Sequence, residues 1–399
     1  MFGHAKSLRG HFKLIRQDGR RSAQFGHNGI FSVTDSPHIL IAPFFELLDK
    51  FTGLRSFHAE DVHFAQSAVA ALCRAPSLAD VRLVRCSVAA EERVDIPSLH
   101  LGVSRFSFNF RHGEFHDNDG PGIAPWVSLL RFDNIRELEL ACNLDILDEN
   151  MAAAPLFPLV HKLTIKVRSY NLSILSHFPA VEIFSTNGSP RLPASDLTVL
   201  PILQQYTGPC ETMASFLSRS TLTRLTTPLC RPHVFREQLN RFQGSNNMLS
   251  FSVSFDGEGI DMSTISPIRS FFPRLKTLHV RIFHSERDPG VNLRDLVATF
   301  FAELGNPFVL PTELERMAFD WTIGSAGIPT DQQIEVDPFT NLRTALTTQY
   351  PALRMVWLDG DNFLFCWHKM RYGFKSAAAT TRSDAQEMRK EFNDFWRDG

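Results

Sequence analysis

No apolar run in this chain approaches the ~20 residues needed to span a bilayer; even the stretch from His38 to Leu48 is broken by Pro43 and Glu46. A secretory leader is also missing, so Asn171-Leu-Ser173 and Asn187-Gly-Ser189 read as chance matches to the glycosylation pattern. Charge of one sign is scarce. Lys and Arg total 41 against 43 Asp and Glu, and the net charge of -2 excludes a broad electrostatic footprint for nucleic acid or a membrane surface. The six cysteines contain no C-x-x-C pair and no histidine at zinc-finger spacing. They read as reduced, mostly buried thiols of a cytoplasmic or nuclear protein. No G-x-S-x-G elbow, phosphate-binding glycine loop or dinucleotide fingerprint occurs, so no cofactor is implied. Tyrosine is rare as well: 4 residues against 35 Phe indicate rings buried without a hydroxyl partner, in a core rather than on a polar aromatic face.

What the chain does have is a repeat. Ile135, Leu138, Leu140 and Asn143 complete the L-x-x-L-x-L-x-x-N/C pattern of a leucine-rich repeat. In such a unit a short strand sends Leu138 and Leu140 inward and the asparagine amide ties up backbone groups at the turn. A single unit cannot bury its own apolar face, so neighbours are required on both sides. Equivalent positions recur at Leu138, Leu163, Phe184, Tyr206, Leu225, Phe251 and Leu278, in steps of roughly 19 to 27 residues, and then at Met317 and Val356 in steps nearer ~40. Cys86 holds the N/C position of an earlier unit, a structural place for a thiol. Helical patterns alternate with the strands, among them a helix after Pro43, one capped by Ser67, one capped by Asn292 and one opened by Asp337-Pro338. The expected fold is therefore an α/β leucine-rich-repeat solenoid, a horseshoe with parallel strands on its concave face and helices and loops on its convex face.

Three segments follow. Residues 1–36 form a basic arm or cap, in which Asp18-Gly19 separates Phe12–Arg16 from Arg21–Phe25 as a hairpin turn would; residues 37–373 are the solenoid; residues 374–399 are an Ala/Thr linker and an amphipathic helix with Met388, Phe392 and Phe395 at helical spacing.

On a concave face the residues flanking the inward leucines point to solvent. By register these include Arg82, Glu137, Glu139, Lys162, Lys166, His279, Arg281 and Trp357, the candidate protein-binding residues. Opposite charges on adjacent strands can equally pair with each other, a structural role needing no ligand. Trp and Arg are the types most enriched at interface anchors, although Trp357 can be covered by the insertion from Ser325 to Glu335. His112 and His116, with Glu114, Asp117 and Asp119 around them, have the composition of a metal site. The i, i+4 spacing needs a helix, whereas Gly113, Asn118, Gly120, Pro121 and Gly122 describe a loop, so no metal or catalytic residue is assigned.

The opening Pro43-Phe-Phe-Glu-Leu-Leu48 with Leu54–Phe57, the segment Leu72–Leu78, and the closing Phe272–Leu278 and Asp359–Trp367 resemble the leucine-rich regions of the F-box-like protein families of mushroom-forming fungi. That resemblance spans residues 37 to 373. It implies an intracellular, non-enzymatic substrate-recognition arc of a ubiquitin-ligase receptor, whose F-box would dock on a cullin-RING adaptor. Residues 1 to 36 are too short for an F-box and contain no Leu-Pro, so the adaptor contact would require a segment upstream. The other readings are a free-standing repeat scaffold or inhibitor, and a metal-dependent enzyme using the His112–Asp119 loop.

Overall fold

A computed structural model describes residues 10–17, 20–25, 29–32, 45–48, 51–60, 62–88, 99–110, 124–141, 156–167, 169–191, 199–242, 247–256, 260, 262–284, 299–300, 303–304, 309–323, 344–360, 363–370, 373–378, 387–388 and 390. The chain divides into two compact units, Met1–Leu203 and Gln204–Gly399.

In the first unit, β1 (Gly10–Gln17), β2 (Arg20–Phe25) and β3 (Gly29–Ser32) run antiparallel to one another, and Gln17 faces Arg20 across the expected Asp18-Gly19 turn. β1 then pairs parallel with β4 (Leu54–Glu60), so the basic N-terminal segment closes the edge of the parallel ladder. After the two-residue β5 (His63–Phe64) come β6 (Asp80–Val84), the short β7 (Ser87–Val88), β8 (Arg105–Asn109), β9 (Glu137–Ala141), β10 (Lys162–Ile165), β11 (Ser169–Asn171), β12 (Ile183–Thr186) and β13 (Ser189–Arg191). β4, β6, β8, β9, β10 and β12 are joined in that order, all parallel. β5 with β7, and β11 with β13, make two small parallel sheets beyond the main ladder.

The second unit continues the same grammar. β14 (Gln205–Thr207), β15 (Arg224–Cys230), β16 (Ser250–Asp256), β17 (Thr277–His284), β18 (Arg316–Ile323) and β19 (Met355–Gly360) are parallel in sequence order, and β20 (Phe363–Met370) and β21 (Gly373–Ala378) add antiparallel strands at the far edge. Residues 374–378, expected as the start of a linker, thus lie in a paired strand, β21. The stretch GFKSAA offers no apolar alternation from which a strand could be read.

The register reproduces the expected repeat positions. Phe57, Val81, Phe106, Leu138, Leu163 and Phe184 stand in one column of the first unit. Tyr206, Leu225, Phe251, Leu278, Met317 and Val356 do so in the second. Every one of them is buried. Behind the columns aromatic rings stack in series: Phe45, Phe57 and Phe64 meet edge to face and reach Trp126, and Phe251 lies 5.8 Å from Phe235 and 5.4 Å from Phe272. Most of the described phenylalanines are core, with Phe283, at 40% exposure, an exception.

A recurring turn sets the ladder spacing. Before β10, β12, β17 and β19 the chain passes through a four-residue turn with proline at its second position: Pro158, Pro179, Pro273 and Pro351. The amide of the fourth residue donates back to the first carbonyl, as in Val181 to Phe178 and Leu353 to Tyr350, and proline supplies the φ this position requires. Immediately downstream two successive amides share one carbonyl of the preceding repeat: Glu182 and Ile183 on His161, Lys276 and Thr277 on Leu249, Arg354 and Met355 on Glu315.

Gln66–Arg74 and Pro232–Asn240, nine residues each, are the longest continuously described helices, and Leu172–His177 is a 3-10 turn. Of the helices expected after Asn292 and after Asp337-Pro338, only residues 299–300, 303–304 and 344–350 are described, and all but 350 are helical. Ser67 lies within the first helix, whose cap position is Ala65 without a side-chain hydrogen bond. After Pro43, Phe45 and Leu48 are buried and Leu47 is half-buried, while Pro43 and Phe44 lie outside the described residues. Leu101 pairs with Leu130 through a single parallel bridge. Asn143 and Cys142 lie outside the described residues.

The cysteines depart from expectation. Cys210, which opens the turn after β14, and Cys230, the last residue of β15, form a disulfide with Cα atoms 5.4 Å apart. Their 20-residue separation conceals the pairing, because the ladder brings equivalent points of successive repeats together whatever the intervening length. Cys73, Cys86 and Cys366 carry no disulfide.

Candidate functional site

Alternation along each strand sends the residues between the buried columns to the opposite face. In the first unit that face is polar, and register brings its residues into two lateral rows. Asp80, Arg105, Glu137 and Lys162 are direct neighbours on β6, β8, β9 and β10; Arg82, Ser107, Glu139 and Thr164 form the next row. The first row alternates in sign at every step. Arg105 Nη2 lies 2.8 Å from Glu137 Oε1, and Lys162 Nζ lies 3.7 Å from Glu137 Oε2. In the second row Ser107 Oγ donates to Glu139 Oε2 at 3.2 Å, Lys166 pairs with the other oxygen of Glu139, and Arg82 Nε stands 3.9 Å from Asp80 Oδ1. These residues other than Lys166 line one open depression, which the strand positions Phe106 and Leu138 also border.

The charges pair across strands as the structural reading anticipated, yet they remain in water. Arg82, Arg105, Lys162 and Lys166 keep 61%, 57%, 49% and 44% of their side-chain surface exposed. Pairs of that exposure contribute about 0.2–1 kcal/mol each, too little to be what holds the ladder together. Glu139 is the carboxylate whose titration is clearly displaced: burial raises its pKa, but the hydrogen bond and charge of Lys166, the Ser107 hydroxyl and the Arg82 charge outweigh that and hold it below the ordinary glutamate value.

The second unit presents a different face. Ser252, His279, Ala318 and Trp357 are register neighbours, the counterparts of the Glu139 row. His279 and Trp357 are each only 2% exposed and Ala318 is fully buried, so neither His279 nor Trp357 is available to a partner as the sequence suggested. His279 Nε2 sits 2.8 Å from Asp320 Oδ2, and Arg281 Nε is 3.4 Å from the same oxygen and 3.3 Å from His279 Nε2. Trp357 packs with Ala318, Met355 and Leu364, and Cys366 and Met388 lie against that cluster. Side chains beyond the strand itself thus close a position that alternation alone leaves open. Arg281, nearly half exposed, stays at the surface.

Of the eight candidates, then, Arg82, Glu137, Glu139, Lys162 and Lys166 come together on one open surface, Arg281 is accessible in the other unit, and His279 and Trp357 are covered. Sequence reasoning missed Asp80 and Arg105. Both sit at strand starts, one residue ahead of the apolar position that marks the strand, and only register reveals that they complete the alternating row. The His112–Asp119 loop lies outside the described residues, among which no group of three or more His, Cys, Asp or Glu is placed to hold a metal. No described helix is long and apolar enough to cross a membrane.

Each unit is thus an α/β repeat: a parallel ladder in fixed register, apolar on the inward columns and variable on the other face. No family model matches the chain, and no curated protein does. Among solved structures it is similar to an internalin from Listeria monocytogenes, at 13% identity and a TM-score of 0.31 over 74% of this chain and 79% of that one. The repeat assignment rests on the ladder itself.

Proposed function

We propose that this chain is a non-enzymatic leucine-rich-repeat protein that binds another protein on the strand face of its first unit. The observation that carries the reading is the row Asp80, Arg105, Glu137, Lys162: four neighbouring strands present alternating charges across an open depression, the two cations about half exposed and the two carboxylates about a quarter. A surface so wide and shallow suits side chains of a partner protein better than a small molecule, which needs an enclosing cleft. The test is affinity capture from cells of the source organism with the wild-type chain and with the charge-reversed pair Glu137→Lys, Lys162→Glu. A partner retained by the first and lost by the second supports the reading; an unchanged set of partners removes it.

Within that reading, a role as the substrate-recognition arc of an F-box-like ubiquitin-ligase receptor, in cytoplasm or nucleus, rests on the sequence resemblance alone. One observation favours the second reading, a free-standing scaffold or inhibitor: the Cys210–Cys230 bond is ordinary in oxidising compartments and rare in the cytosol, where a cullin-RING adaptor works. A pull-down of this chain against the adaptor subunit, with a complete F-box protein as control, separates the two.

A further inference from the structure

On β19, Val356 and Leu358 face the core, whereas Met355 and Trp357 occupy the opposite face, and all four are buried. A repeat strand covered on both sides requires something to lie on its outer face. The residues that gather there are apolar: Ala318 from β18, Met355 and Trp357 from β19, and Leu364 from β20, with Cys366 and Met388 against them. Met388 belongs to a helical piece near the end of the chain, where Glu387 and Lys390 are exposed and Met388 is half-buried. An unbranched apolar side chain flanked by charges and seated on an apolar patch is the arrangement by which amphipathic helices dock in grooves.

We propose that the outer face of β18 to β20 is a docking surface for an amphipathic helix, and that the chain's own C-terminal segment occupies it through Met388. This surface is separate from the charged row of the first unit and stands whether or not that row binds a protein.

The test uses the full chain and reads Cys366, which borders the cluster, by its native-state alkylation rate, with Cys73 as the internal reference. Met388→Asp undocks the segment and raises Cys366 alkylation about tenfold, the effect of weakening a local closing equilibrium by about 1.4 kcal/mol. Cys73 stays unchanged, and Met388→Leu keeps the protection. A synthetic peptide of residues 380–399, added to the Met388→Asp chain, restores protection, while the same peptide carrying Asp in place of Met388 does not. An unchanged Cys366 rate in Met388→Asp overturns the occupancy, and equal protection by both peptides, or by neither, overturns the docking surface.

Discussion

Reducing the Cys210–Cys230 bond removes a cross-link and leaves the packing intact. Both sulfurs are already buried, at 0% and 2% exposure, so the two thiols keep their places between β14, β15 and the turn at Cys210–Thr212. What changes is the unfolded chain, which regains the freedom of a closed loop spanning 20 residues. The chain-entropy relation for that length gives a loss of about 3 kcal/mol. For a cooperative unit of this size that corresponds to a fall of about 6–12 °C in the midpoint of thermal unfolding. The assay is calorimetry of the protein with and without reductant, alongside Cys210→Ser/Cys230→Ser. Alkylation in denaturant reads the bond directly: Cys73, Cys86 and Cys366 are modified without reductant, Cys210 and Cys230 only after it. Full modification of Cys210 and Cys230 before reduction refutes the bond and, with it, the argument for an oxidising compartment. A confirmed bond with no shift in midpoint refutes the loop-entropy reasoning instead.

Glu139→Gln tests the carboxylate held by Lys166, Ser107 and Arg82. Because its folded pKa lies below the ordinary value, the stabilisation is fully present above the unfolded glutamate range near 4.5 and is lost as pH falls through the lower folded value. Urea denaturation from pH 7 to pH 3 is expected to show that acid-side loss in the wild type and to show less of it in the Gln variant. Phe251→Ala empties a fully buried column position between Phe235 and Phe272 and is expected to cost about 3–5 kcal/mol, whereas Ser252→Ala, one residue on and on the other face, stays within about 0.5 kcal/mol in the same chemical denaturation series. Pro179→Ala leaves the Phe178–Val181 hydrogen bond possible but frees the unfolded chain, so a loss of about 0.4–1 kcal/mol is expected.

The ladder was legible because it is encoded redundantly. Each inward position from Leu138 to Val356 repeats the same demand for an apolar residue before a turn, and one degenerate unit such as Tyr206 is carried by its neighbours. The hairpin around Asp18-Gly19 was legible from its turn chemistry. The outer face carries no such redundancy. Alternation says which way Trp357 points from its strand, but the segment that covers it lies some thirty residues downstream in sequence, and no local pattern records that Met388 returns there. The disulfide failed to appear for a related reason: its two cysteines are neighbours only through the repeat register, which is long-range information.

The alternating row also fixes how the first unit's face can act at a distance. Neighbouring strands are about 4.8 Å apart, so Asp80, Arg105, Glu137 and Lys162 place opposite charges at that interval. A potential that changes sign over so short a period cancels within about one Debye length, ~8 Å at physiological salt, and the chain's net charge of -2 adds no long-range pull. A partner of the proposed kind would therefore not be steered from afar; it would meet the pattern only on contact. There, a mismatch by one strand would set like charge against like across the whole row, a penalty of several kcal/mol. Under that proposal the face would fix the register of what lies on it, through ion pairs that contribute little to the fold beneath them.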